Sequence, residues 1–214
     1  MKHLFIGAHF DDIEFGCAGY VLDLVKRGDD VMFIIMTDGA ASLESRPCAR
    51  ILEQEEACNS IGVERIKMLN LPDGFVRAEV DVIRRIASEI NGFKPDCVYT
   101  HWPQDTHQDH RATAEIAMSA CRRKVDLIYF DSYSSIGFVP NMYVDVSKHV
   151  DDKRKSLNCF KTQIDKFKQR GADFAEESIQ RNKLCGYEVG VPYAEGYVIK
   201  RLTINGKGGQ HENY

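Results

Sequence analysis

No apolar run in this chain approaches the roughly 20 residues that a membrane-spanning helix needs, so the sequence predicts no span. The opening MKHLFIGAHFDD is too short in apolar residues to read as a signal peptide and is charged again by Asp11. None of the seven cysteines forms a Cys-x-x-Cys pair, and their odd number argues against a disulfide framework or a structural zinc site. Reduced thiols in a cytoplasmic protein are the expectation. Gly-x-Gly-x-x-Gly is also missing, so Gly16 and Gly19 are read as helix-packing positions rather than a phosphate cradle. A formal net charge of −4 gives no pull toward nucleic acid or an anionic membrane. Repeats are absent, as are linkers rich in proline, glycine or serine. The 214 residues are therefore read as one domain over 1–205 and a polar tail over 206–214.

What is present is an alternation of strands and helices. HLFIGA and VMFIIMT are short uninterrupted apolar runs, the pattern of parallel strands buried on both faces. Helical spacing follows in AGYVLDLVKRGDD, CARILEQEEACNSIGV, AEVDVIRRIASEINGF and RATAEIAMSACRR, with strands at RIKMLNL, PDCVYTH and DLIYFDSY. Such alternation over the first 130 residues predicts an α/β protein with a Rossmann-like, doubly wound, mostly parallel sheet. The last third is less regular. It offers a strand at NMYVDVS, helices at DDKRKSLNCFKTQIDKF and FAEESIQRNKLCGY, and a final strand at GYVIKRLTI.

In open α/β sheets, ligands bind outside the carboxyl ends of the strands. Two polar clusters fall at such ends: AHFDD after the first strand and THWPQDTHQDHR after the strand ending at His101. Together they supply His9, Asp11, Asp12, His101, Asp105, His107, Asp109 and His110, and so four of the seven histidines. Adjacent carboxylates repel unless a cation rewards them. A His/Asp set without cysteine suits catalytic zinc, although affinity order alone does not choose it over ferrous iron or another divalent ion. One carboxylate of the Asp11–Asp12 pair can then bind the cation while its neighbour takes a proton from the attacking water.

AHFDDIEFGCAG resembles the His-Pro-Asp-Asp-Glu motif of the PIG-L/LmbE-like family of zinc-dependent N-deacetylases. QDTHQDHRA is similar to that family's second motif, in which a histidine and an Asp-His pair precede a helix. ARILEQEEACNSIGV resembles its Arg-x-x-Glu helix, and GVPYAEGY its Tyr-Ala-Glu-Gly segment. The resemblance implies zinc ligation by His9, Asp12 and His110, with Asp11 as general base. It implies that His107, oriented by Asp109, stabilises the oxyanion or protonates the leaving amine, and that Arg50 and Tyr193 contact substrate. The implied substrate is an N-acetylated amino sugar or sugar conjugate, and related enzymes often assemble as homo-oligomers. One departure stands out: Phe10 occupies the place of a proline that would fix a backbone turn.

Plainer roles are open to several of these residues. The His/Asp set could be a hydrogen-bonded network at strand ends, and Asp11 or Asp109 could cap a helix. Asp105 and His101 read as supporting or rim residues, and Trp102 and Tyr133 as pocket lining or core. Two competing functions follow from the same residues: a metal-dependent phosphoesterase, which needs more bridging carboxylates, and a non-catalytic metabolite-binding module on a Rossmann-like sheet.

Overall fold

The computed structural model describes residues 1–39, 47–123 and 125–203; the expected tail over 206–214 lies outside them. Chain order is β1 (Lys2–Gly7), α1 (Asp12–Lys26), β2 (Asp30–Thr37), α2 (Pro47–Ile61), β3 (Arg65–Leu71), α3 (Val80–Phe93) and β4 (Cys97–His101). There follow α4 (Gln108–Cys121), β5 (Asp126–Phe130), β6 (Met142–Asp145), α5 (Val150–Leu157), α6 (Lys161–Gln169), α7 (Phe174–Val189) and β7 (Ala194–Arg201).

All seven strands form one sheet in the order β3-β2-β1-β4-β5-β7-β6. The first five are parallel, while β7 runs antiparallel to both β5 and β6. The apolar strands explain the layering. Phe5, Phe33 and Ile35 face one core with Val21, Leu24, Ala57, Leu157 and Phe174; Leu4, Ile6, Ile34 and Met36 face the other with Ile86, Ile90, Ile116 and Ala117. Consecutive residues point to opposite faces of a sheet, so only strands apolar throughout can serve two cores. No helix among the described residues is long and apolar enough to cross a membrane, and the six described cysteines carry free thiols.

Three boundaries differ from the sequence reading. α1 starts at Asp12 rather than near Ala18, through two glycines that propensity penalises. Packing overrides propensity there: a Cβ on Gly16 would lie 2.7 Å from the Asp131 carbonyl, and one on Gly19 2.7 Å from Val146. α4 starts at Gln108, so His110 lies in its first turn rather than before it. The helix expected over DDKRKSLNCFKTQIDKF is two helices, α5 and α6, separated where Phe160 turns fully into the core.

Candidate metal centre and active-site cavity

The strand order reverses between β1 and β4, which pair through Ile6 and Thr100. That is the switch point where a crevice opens at the carboxyl ends of a doubly wound sheet. It brings together two segments about a hundred residues apart.

Asp12 is the hub of the cluster. Its carboxylate lies 3.4 Å from His9 Nδ1, 3.3 Å from His110 Nε2 and 3.2 Å from His101 Nε2. The far nitrogens of the two predicted imidazole ligands are held by carboxylates. His110 Nδ1 donates to Asp105 Oδ2 at 3.0 Å, and His9 Nε2 lies 3.1 Å from Asp73 and 3.2 Å from Asp109. Each imidazole therefore has its other nitrogen turned to Asp12, the arrangement in which carboxylates orient metal-binding histidines. Ligand atoms of His9, His107 and His110 lie within 4.8 Å of one another, as do those of Asp12, His101 and His110. Lone pairs aimed at a carboxylate are repulsive until a cation or protons lie between them. Burial opposes charge on His9 and His110, yet the surrounding carboxylates raise both, His110 to about 9. Burial likewise works against the Asp12 anion, but the His110 imidazolium holds it well below the usual carboxylate range. A third such donor group is His9, Asp73 and Asp109. Imidazole and carboxylate donors of this kind suit a divalent ion, and the expected ligands His9, Asp12 and His110 are divided between the first two groups.

His101 is more central than its reading as a rim or supporting residue. It is fully buried, stacks on His110 at 4.0 Å between centroids, and accepts the Ala8 N–H at Nε2. Burial, reinforced by His110, lowers it to about 4, so it supports the cluster as a neutral ring. Asp105 fixes His110 and also accepts the His107 N–H at 2.8 Å.

Asp11 stands at the N-cap of α1 but makes no side-chain cap bond; its carboxylate lines the cavity instead. Its backbone is left-handed, with φ 92°, a conformation that costs a non-glycine residue on the order of 1–3 kcal/mol. A clamp from α2 holds it there. Arg50 donates to the Phe10 carbonyl and Gln54 accepts the Asp11 N–H, each at 3.2 Å, so both ends of one peptide unit are gripped. The restriction a proline would impose at position 10 comes here from another helix, and Phe10 is free to fill the core. Burial raises Asp11 to about 7, against the pull of Arg50 and with the push of Asp12.

His107, not Asp109, caps α4. Its Nδ1 accepts the Asp109 N–H at 3.2 Å, which leaves Nε2 as the N–H facing the cavity. Asp109 thus orients His107 through its backbone. Its carboxylate turns instead to His9 and to the Gly74 and Val76 amides, at 2.7 and 3.1 Å. Burial and the charges of His9 and His110 lower His107, so it is a neutral donor.

The cavity, about 260 Å³, is lined by His9, Asp11, Asp12, Arg50, Asp73, His107, Tyr133, Gln163 and Lys166. Arg50 is already engaged by Gly39, Phe10 and Asp11, the last at 3.5 Å. Tyr193 is not in this lining; its backbone is clipped to Ser147 ahead of β7. Trp102 is likewise outside, packed on Tyr129 and Phe138. The Tyr-Ala-Glu-Gly segment is a structural joint: Glu195 accepts from Gly19, Tyr20, Tyr197 and the fully buried Lys153. Asp73, Gln54, Gln163 and Lys166 escaped the sequence reading. Only Asp73 had a signal, a carboxylate in the turn LPDG at a strand end.

A cluster of His and Asp able to hold a metal at the switch point of a Rossmann-like sheet, with a carboxylate beside it, is a site suited to metal-assisted hydrolysis. Residues 4–121 match the family model described as PIG-L: GlcNAc-PI de-N-acetylase, and the chain belongs to that family of N-deacetylases, which act on amide C–N bonds. It is 30% identical to the uncharacterized deacetylase YaiS of Escherichia coli K12 over 68% of this chain and 82% of that one. With the diacetylchitobiose deacetylase of Thermococcus kodakarensis it shares 26% identity over 76% and 70% of the two chains. The conserved protein TT1542 of Thermus thermophilus has the same fold, with TM-score 0.83 at 21% identity over 97% and 98% of the chains. GalB of Pseudomonas putida, a 4-carboxy-2-hydroxymuconate hydratase, shares it too, with TM-score 0.78 at 20% identity over 97% and 100%. The fold alone therefore does not select the reaction.

Proposed function

We propose that this chain hydrolyses the N-acetyl group of an amino sugar or sugar conjugate, using one divalent ion, zinc or ferrous iron, held by His9, Asp12 and His110. The observation that carries the reading is Asp12, flanked by nitrogens of His9 and His110, at the edge of a cavity where a second carboxylate, Asp11, has Arg50 as its one ion-pair partner among the described residues. Bound there, a divalent ion supplies Lewis acidity and acidifies water.

The remaining roles belong to the chain. Asp11 takes the proton of the attacking water, and a carboxylate raised to about 7 is matched to that task near neutral pH. The water oxygen bonds to the amide carbon, and charge gathers on the carbonyl oxygen, to which His107 Nε2–H donates. As the C–N bond breaks, the proton held by Asp11 passes to the departing nitrogen, giving acetate and an amine. Arg50 keeps Asp11 aimed. The diacetylchitobiose deacetylase of Thermococcus kodakarensis is, as its name states, an enzyme for an N-acetylated sugar, which supports the same substrate class here.

The test is acetate release from N-acetylated sugars by zinc- and iron-loaded protein, with Asp11→Asn alongside. The expected loss in the variant is about 10²- to 10⁴-fold in kcat with metal retained; undiminished turnover removes the base. Metal titration separates the phosphoesterase reading, which requires two equivalents, from the single equivalent expected here.

A further inference from the structure

The family match ends at residue 121, and α6 lies beyond it. This nine-residue helix sends two side chains into the cavity, Gln163 and Lys166, one turn apart on the same face. Its position is fixed at both ends. Glu53 of α2 accepts from the Thr162 N–H and hydroxyl at 2.9 and 2.7 Å, and Phe167 is buried in the core.

Gln163 is only 9% exposed, yet its side-chain amide makes no hydrogen bond to any described residue. The amide is not sealed in the protein but opens on the cavity, where it is available to a bound ligand. Lys166, half-buried, makes neither a hydrogen bond nor a close ion pair with a described residue; its charge reaches Asp11 only at longer range across the cavity. The three carboxylates of the cavity have other partners: Asp12 the imidazoles, Asp73 His9, and Asp11 Arg50. An amide N–H beside an ammonium, both on the cavity wall and neither hydrogen-bonded to a described residue, suits an anionic acceptor.

We propose that Gln163 and Lys166 form a subsite for an acidic substituent, so that the substrate is an N-acyl amino sugar bearing a phosphate or carboxylate. The proposal rests on the deacetylase reading and adds the charge of the sugar. Its test is calorimetric binding of amine products to the intact protein: glucosamine as the neutral reference, glucosamine 1-phosphate and 6-phosphate for phosphate, and muramic acid for carboxylate. At least one acidic ligand is expected to bind about ten-fold more tightly than glucosamine, a difference of about 1.4 kcal/mol. The preferred arm identifies the acid. Lys166→Ala should abolish the acidic-over-neutral ratio, Lys166→Glu should invert it, and Gln163→Leu should reduce it several-fold.

Equal binding of acidic and neutral ligands, no binding of any acidic ligand, or a preference that survives Lys166→Ala overturns the subsite. Acetate release separates this failure from that of the underlying reading. Cleavage of neutral N-acetylglucosamine without acidic preference sinks the subsite alone, whereas no release from any N-acetylated sugar sinks both.

Discussion

Replacing Gln54 with leucine removes one half of the grip on the Phe10–Asp11 peptide while keeping the residue's bulk. The buried Asp11 N–H then loses its acceptor, and the Glu14 carboxylate loses the amide that Gln54 donates to it. A buried donor left unsatisfied costs about 1–3 kcal/mol. The left-handed backbone of Asp11 adds a drive to relax, since φ of 92° is unfavourable for aspartate. If that whole cost falls on the aligned conformer, kcat drops roughly 5- to 150-fold, because about 1.4 kcal/mol is a factor of ten. Arg50 still holds the Phe10 carbonyl, which places the expectation toward the lower end. Steady-state kinetics and metal analysis of Gln54→Leu provide the assay, with KM and metal content expected to stay near wild type. Thermal unfolding should shift down by about 2–12 °C for a domain of this size. A normal kcat accompanied by that loss of stability would refute the argument, since the clamp would then serve the fold and not the base.

Asp105→Ala frees His110 Nδ1 and the His107 backbone, and should weaken metal binding about 10- to 100-fold in a chelator competition. Lys153→Met leaves the Glu195 carboxylate in the core without its ion-pair partner, held only by Gly19, Tyr20 and Tyr197, at a cost of about 3–5 kcal/mol read by denaturant unfolding. Lys153→Met/Glu195→Gln, which keeps an acceptor and removes the charge, should recover part of it. His3 is lowered to about 4 by burial, partly offset by Asp29. The unfolded chain therefore binds the extra proton between about pH 4 and 6.5, so this contribution is complete above 6.5 and is lost as pH falls, at most about 3 kcal/mol. Unfolding of His3→Gln across that window should show a flatter acid limb than wild type.

The apolar runs of β1, β2, β4 and β5 and the helical spacing between them were enough to give a doubly wound sheet. Strand and helix periods are local properties, and strands apolar throughout must be covered on both faces. The chemistry of the cluster was legible for a similar reason: His9, Asp11, Asp12, His107 and His110 sit at strand ends, where open α/β sheets place their ligands. The start of α1 was hidden because Gly16 and Gly19 lower local propensity, and only close packing on Asp131 and Val146 explains them.

Roles that depend on which way a side chain turns were decided by tertiary contacts. The Asp109 carboxylate faces His9 and the 74–76 amides rather than His107, and Tyr193 falls outside the cavity lining. Gln54, Gln163 and Lys166 carry no motif of their own. They reach the cavity only because α2 and α6 pack beside the exit of β1. Sequence by itself determined the elements, the sheet and the kind of atoms at the centre, because spacing along the chain encodes those. The three-dimensional packing alone decided which atoms are satisfied and which are left facing the cavity, because hydrogen-bond partners here lie tens to more than a hundred residues apart.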